Sequence, residues 1–168
     1  VVRLGYPIMD YVRLSGQYKY EDADIGNIAE ESSESLKEME GKWKTSSITL
    51  SLRRDTRNRF YNPTSGSDNY LTVEYAGGIL GGTTYFSKYI LNSGWFFPMP
   101  WGNEHVFFAR GKLGLLQGRS GGKVPIFEKF VLGGMNSLRG FEWGSIGPSD
   151  PETGAVLGGE KMVLFNFE

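Results

Sequence analysis

Residues 133–141 read GGMNSLRGF and contain a single charged side chain, that of Arg139. A guanidinium keeps its charge at any working pH, so an arginine held in a sheltered site needs a carboxylate partner. Gly133 and Gly134 open the run and Gly140 follows the arginine, which lets the chain turn tightly and approach another surface. The sequence therefore predicts a loop arginine that recognises a carboxylate.

Other residue types that perform chemistry are scarce. The 168 residues include no cysteine and one histidine, His105, so thiolate metal sites and cysteine nucleophiles are excluded. We interpret His105 as a turn residue, and no serine, histidine and aspartate lie in an arrangement that indicates a triad. We therefore expect no catalytic residue, no cofactor and no metal. The formal net charge of -1 gives no general attraction to nucleic acid.

The elements that would position Arg139 are strands, because much of the chain alternates with a period of two. In residues 11–21, apolar side chains and one glycine at even positions alternate with polar side chains at odd positions. Such alternation is typical of strands with one apolar and one polar face. The same pattern recurs in residues 47–53, 70–75, 85–97, 105–116 and 161–168. We predict an antiparallel all-β chain.

The connections differ in length, which favours a transmembrane β-barrel over a soluble β-sandwich. Short turns with proline are expected at Tyr6-Pro7, at residues 62–66 and at residues 98–102, and long loops at residues 22–41 and 118–159. Barrels of the outer membrane have short turns at one end and long loops at the other. Within the first long loop, residues 30–39 predict a short helix.

Several motifs together resemble one protein family. The stretch FEKFVLGGMNSLRGF is followed by GSIGPSD and by GAVLGGEKMVLFNFE, and RRDTRNRFYNPTSGS lies upstream. In this order they resemble the barrel of the bacterial surface antigen family, the POTRA-bearing insertases of the outer membrane. Leu138, Arg139, Gly140 and Phe141 stand where the family has Val/Ile-Arg-Gly-Phe/Tyr.

The resemblance implies a barrel of about sixteen antiparallel strands behind periplasmic POTRA domains. Residues 1–168 would be a fragment of this C-terminal transmembrane domain, covering about strands six to twelve and a long in-folded loop. We expect the POTRA domains and the other strands to lie outside this chain. An incomplete sheet has two unpaired edges, so an isolated fragment is expected to pair with another copy.

The resemblance also gives Arg139 a role. In the family, the arginine of the long loop meets acids on the inner wall of the barrel. Glu168 is a candidate partner because it shares the parity of Asn166, on the polar side of its strand. A charge-assisted pair would fix the loop tip, with Phe141 packed beside it, and a second acid is expected on the following strand.

By resemblance, the expected function is the assembly and insertion of β-barrel proteins in the outer membrane of a Gram-negative bacterium. The expected partners are outer-membrane lipid, unfolded outer-membrane proteins and, for the full-length protein, lipoproteins of an assembly complex. Two alternatives stay open: a translocator of the two-partner secretion or TamA type, and a transport pore. None of these requires an enzymatic reaction.

Overall fold

In the computed structural model, the described residues are 1–26, 37, 40–101, 105–119 and 124–168. They form a seven-stranded antiparallel sheet whose strands follow one another in chain order. The strands are β1 (Val2–Met9), β2 (Val12–Ile25), β3 (Gly41–Asp55), β4 (Gly66–Ala76), β5 (Phe86–Pro98), β6 (Val106–Gly118) and β7 (Lys161–Phe167). The all-β prediction is confirmed, whereas the predicted helix at residues 30–39 lies almost wholly outside the described residues.

Each strand pairs with the next, so the sheet is a simple meander. β2 and β3, for example, pair without interruption from Val12 opposite Arg54 to Ile25 opposite Gly41. The connections β1–β2, β3–β4 and β5–β6 lie at one edge, called here the short-turn end, and the other connections lie at the long-loop end. Within the described residues, no helix is long and apolar enough to cross a membrane.

The turn predicted at Tyr6-Pro7 is wrong. Both residues lie inside β1, where Pro7 is opposite Arg13, and the chain instead turns at Asp10 and Tyr11. Tyr11 adopts a positive φ of 64° in this two-residue connection. Proline is tolerated within β1 because the β1–β2 register shifts between Pro7 and Met9, and proline is accepted at such an irregularity.

The two faces of the sheet follow the predicted parity. The outer face carries exposed large apolar side chains, including Leu14, Tyr18, Leu50, Leu71, Leu91, Leu113 and Phe165. At the short-turn end of this face, the rings of Trp95, Phe97, Phe107 and Phe167 stack in a row across three strands, with centroids 6.3–6.4 Å apart. An apolar face with aromatic rings near one rim suits a lipid-facing wall.

The small hydrophobic core lies on the opposite, inner face, near the long-loop end. It consists of Ala76, Phe86, Leu116 and Met162 from the strands, together with Phe130 from the connection between β6 and β7. Met162 and Leu164 share the polar parity of β7, yet both are buried. The β6–β7 connection therefore covers this part of the inner face.

Candidate functional site: the loop on the inner face

The β6–β7 connection, called here the inner loop (residues 124–160), packs directly on β6. A Cβ atom added to Gly114 would lie 2.7 Å from the ring of Phe130, so only glycine at position 114 leaves room for that ring. The Phe130 N–H donates to the carbonyl oxygen of Gly159 at 2.9 Å, and the Gly159 N–H donates back at 2.8 Å. These contacts fix the first and last parts of the inner loop together against the wall.

A buried carboxylate holds the base of the inner loop. Glu128 is buried at the end of a short 3-10 helix, Ile126–Glu128. Its Oε1 lies 3.1 Å from Lys19 Nζ, and its Oε2 lies 3.1 Å from Lys88 Nζ. We call this trio of Glu128, Lys19 and Lys88 the base anchor.

Lys88 makes more than an ion pair with the inner loop. Its ammonium also donates to the backbone carbonyl of Glu128 at 2.7 Å and lies 5.2 Å from the centre of the Phe130 ring. Lys19 is in turn 3.4 Å from Glu21 and 3.8 Å from Glu74. The base anchor is therefore embedded in a network of opposite charges, as a buried ion requires.

The glycines shape the tip of the inner loop, residues 133–141. Gly133 has a φ of 116°, and a Cβ there would lie 2.0 Å from the carbonyl oxygen of Glu142. The Ser137 hydroxyl donates to the Gly133 carbonyl at 2.7 Å, and the Gly134 N–H donates to the Phe141 carbonyl at 2.9 Å. The tip is thus a closed turn that a side chain at position 133 would disrupt.

Three contacts join the tip to β6 and β7. Arg139 Nη1 lies 3.1 Å from Glu168 Oε2, the pair that the sequence predicted. Asn166 Nδ2 donates to the Ser137 carbonyl at 2.8 Å, and Arg110 Nη1 donates to the Asn136 carbonyl at 3.3 Å. We call the Arg139–Glu168 pair and these two hydrogen bonds the tip anchor.

The two anchors differ in their contact with solvent. The Glu128 side chain is 9% exposed, whereas the side chains of Arg139 and Glu168 are 68% and 40% exposed. Phe141 is 57% exposed and Leu138 is half-buried. The functional role of residues 133, 134, 138–141 and 168 stays a prediction.

The base anchor was missed by sequence reasoning, which treated the acids as scattered loop or strand-face residues. One signal was available: Glu128 is an acid within the otherwise largely apolar run VPIFEKFVL at residues 124–132. An acid in such a run is either exposed by a turn or buried with a partner. The sequence could not show which lysines, more than a hundred and about forty residues earlier in the chain, would reach it.

The described residues contain no group of three or more histidine, cysteine, aspartate and glutamate side chains placed to hold a metal ion. His105 lies at the turn before β6, where its backbone carbonyl accepts a hydrogen bond from the Met99 N–H at 3.0 Å. The contacts on the inner face are suited to holding a loop, because Glu128 and Arg139 of the loop each lie beside an opposite charge of the sheet.

Comparison with known proteins gives relatives along the whole chain. A model of the Omp85 superfamily domain matches residues 1–168. A protein of Nitratidesulfovibrio vulgaris, named outer membrane protein assembly factor BamA, is 29% identical over 99% of this chain and 21% of its own length. A protein of the same name from Neorickettsia risticii is 27% identical over 98% of this chain and 22% of its own length. A SAM50-like protein of Schizosaccharomyces pombe is 29% identical over 85% of this chain and 30% of its own length.

A solved structure shares the fold. The crystal structure of BamA from Haemophilus ducreyi lacking POTRA domains 1–3 matches 96% of this chain and 34% of that one, with a TM-score of 0.74 and 22% identity. The seven-stranded open sheet therefore has the arrangement of part of that protein. The chain spans 21–30% of the length of these three curated relatives.

Proposed function

Because the chain belongs to the Omp85 superfamily, we propose that it is part of the transmembrane barrel of a factor that assembles β-barrel proteins in the outer membrane. Residues 1–168 would contribute seven strands of the wall and the loop that folds inside it. The single observation that carries this proposal is the inner loop, held on the polar face of a sheet whose other face is apolar. The relatives named as assembly factors and the SAM50-like relative support assembly over secretion or passive transport.

The proposed activity is mechanical and needs no bond chemistry. A lipid-facing sheet must satisfy its backbone groups within the wall, because the bilayer core offers no hydrogen-bond partners. The inner loop contacts β2, β5, β6 and β7 and would hold these strands in one arrangement. Such a rigid part of the barrel would allow other strands to move. Such a wall would sit in the outer membrane of a Gram-negative bacterium and contact lipid through its apolar face.

The proposed substrates are unfolded outer-membrane proteins, and the proposed partners of the full-length protein are lipoproteins of an assembly complex. Nothing in this proposal involves nucleic acid or a cofactor. The roles of Gly133, Gly134 and residues 138–141 would be to bring Arg139 to Glu168 and so fix the tip of the inner loop.

Reconstitution of the full-length protein tests the proposed function. Proteoliposomes with the protein should accelerate the folding of an added unfolded β-barrel protein, measured by its heat-modifiable mobility and protease resistance. The Arg139→Ala variant should slow this folding, and the Glu142→Gln variant, altered at an exposed acid of the same loop, should not.

A second measurement on the same vesicles separates assembly from transport. Release of an entrapped small solute should not increase when the protein is present without substrate. Solute release without any acceleration of folding would contradict the proposal and favour a pore.

A further inference from the structure

Glu128 lies outside the loop motif that contains Arg139, yet it makes the more enclosed contact with the wall. Its carboxylate meets one lysine on each oxygen, and its backbone carbonyl accepts a further hydrogen bond from Lys88. A carboxylate buried among apolar residues is costly unless charges and hydrogen bonds compensate it. Here both oxygens are compensated, so the site is complete.

The two lysines belong to strands that do not pair with each other. Lys19 lies on β2 and Lys88 on β5, and both β3 and β4 run between them. Three strand spacings correspond to about 14 Å across a sheet, perpendicular to its strands. The two lysine ammonium groups therefore reach one carboxylate only above the inner surface. One carboxylate from the inner loop therefore bridges four strands of the wall.

The base anchor also sets where the tip can reach. Phe130, two residues after Glu128, packs over Gly114, and Asn136 accepts a hydrogen bond from Arg110. Positions 114 and 110 on β6 are about 13 Å apart along the strand, toward the short-turn end. A few residues of loop span this distance, so the placement of Glu128 limits the position of Arg139.

We propose that Glu128 is a positioning residue. Its ion pairs with Lys19 and Lys88 fix the base of the inner loop, and this placement brings Arg139 within reach of Glu168. Release of the base frees the tip, whereas release of the tip leaves the base in place. This direction of dependence follows from burial, because the Arg139–Glu168 pair of the tip is exposed and the Glu128 carboxylate of the base is buried.

Hydrogen–deuterium exchange on the full-length protein in lipid nanodiscs tests this dependence. Glu128→Gln removes the charge at nearly constant size and should raise exchange roughly tenfold or more, both at residues 126–132 and at the tip. Arg139→Ala should raise exchange at the tip alone. The exposed Glu142, changed to Gln, is the matched control and should leave both segments as in the unchanged protein.

A double-mutant cycle separates a specific contact from general damage to the fold. Glu128→Gln and Lys88→Met should each raise exchange in both segments, and the double variant should lose less protection than the two single variants added together, because each change alone leaves the other charge without its partner. In the assembly assay, which rests on the proposed function, the double variant should likewise lose less activity than the two single effects combined.

Two results would overturn the proposal. One is unchanged exchange at the tip in Glu128→Gln, and the other is a double variant whose loss of protection equals the sum of the two single losses. Hydrogen exchange reports the placement of the loop and does not depend on the function of the protein. A failure of the assembly assay alone would therefore contradict the proposed function but not the role of Glu128.

Discussion

The inner loop contacts the sheet at two places that differ in their burial and in the residues that form them. At its base, one carboxylate is enclosed by two lysines and an aromatic ring on the inner face of four strands. At its tip, an arginine pairs with the glutamate that follows β7, and both side chains are exposed to solvent. The two contacts have the same 3.1 Å separation between opposite charges.

Two ion pairs with the same separation can differ in interaction energy, because solvent exposure determines how strongly the charges are screened. Exposed pairs contribute between about 0 and 1 kcal/mol, since water and salt screen them. Removal of one partner from a buried pair costs about 3–5 kcal/mol, because the other charge is left uncompensated. We therefore predict that the base anchor contributes most of the free energy that holds the inner loop on the sheet, and that the Arg139–Glu168 pair contributes little.

The largest expected effect is that of Lys88→Ala, which removes three contacts from the base anchor. It leaves Glu128 buried with one lysine, so we expect the local opening of the loop base to become easier by about 3–5 kcal/mol. The amide of Phe130, bonded to Gly159, reports this opening by hydrogen exchange. Lys112→Ala, at another half-buried inner-face lysine, is the control. Equal effects of the two changes would contradict a specific anchor.

Gly133→Ala should have the next largest effect, because the new Cβ meets the Glu142 carbonyl as well as an unfavourable φ. Gly154→Ala separates these causes, since Gly154 has a φ of 70° and open space around it. We expect about 1 kcal/mol of lost stability for Gly154→Ala and clearly more for Gly133→Ala. The thermal midpoint of the folded barrel on semi-native gels measures both. A smaller loss for Gly133→Ala would mean that the turn can rearrange.

Arg139→Ala should cost the folded barrel less than about 1 kcal/mol, because its pair with Glu168 is exposed. Arg139→Lys should recover part of this loss, since an ammonium keeps the charge but not the planar fork. The same gels detect a small downward shift in thermal midpoint. A loss of stability as large as that expected for Lys88→Ala would show that the tip anchor, and not the base anchor, holds the loop.

The smallest expected effect comes from Asp150, which holds a turn within the inner loop. The backbone N–H groups of Thr153 and Glu152 donate to its carboxylate, each at 3.0 Å, and hold the pKa of Asp150 below its usual range. This stabilisation is present above the ordinary aspartate pKa and is lost as pH falls through the lowered one. A carboxyl titration by NMR should give this low midpoint, and Asp150→Asn should not alter exchange at Phe130. A normal midpoint would mean that the turn is not formed.

Much of the sheet could be predicted from the sequence, because a period of two assigns both strand and face. The prediction was wrong at Pro7, since proline signals a turn in general and the register shift between Pro7 and Met9, which makes it acceptable within β1, is not visible in the sequence. The apolar Met162 and Leu164, on the polar side of β7, marked the part of the inner face that the inner loop covers.

The site could be predicted only in part. Arg139 stands in a compact motif with glycines, and parity alone selected Glu168 as its partner. Glu128 depends on Lys19 and Lys88, which come 109 and 40 residues earlier in the chain. Contacts at such separations follow from the register of several strands together, which local patterns do not contain.

Two double-mutant cycles in the full-length protein, one at each anchor, test the central comparison most directly. Glu128→Gln with Lys88→Met probes the base, Arg139→Ala with Glu168→Ala probes the tip, and hydrogen exchange of the inner loop in nanodiscs measures each opening free energy. We predict a coupling of about 1.5–3 kcal/mol at the base and less than about 1 kcal/mol at the tip. A tip coupling equal to or larger than the base coupling would contradict the account.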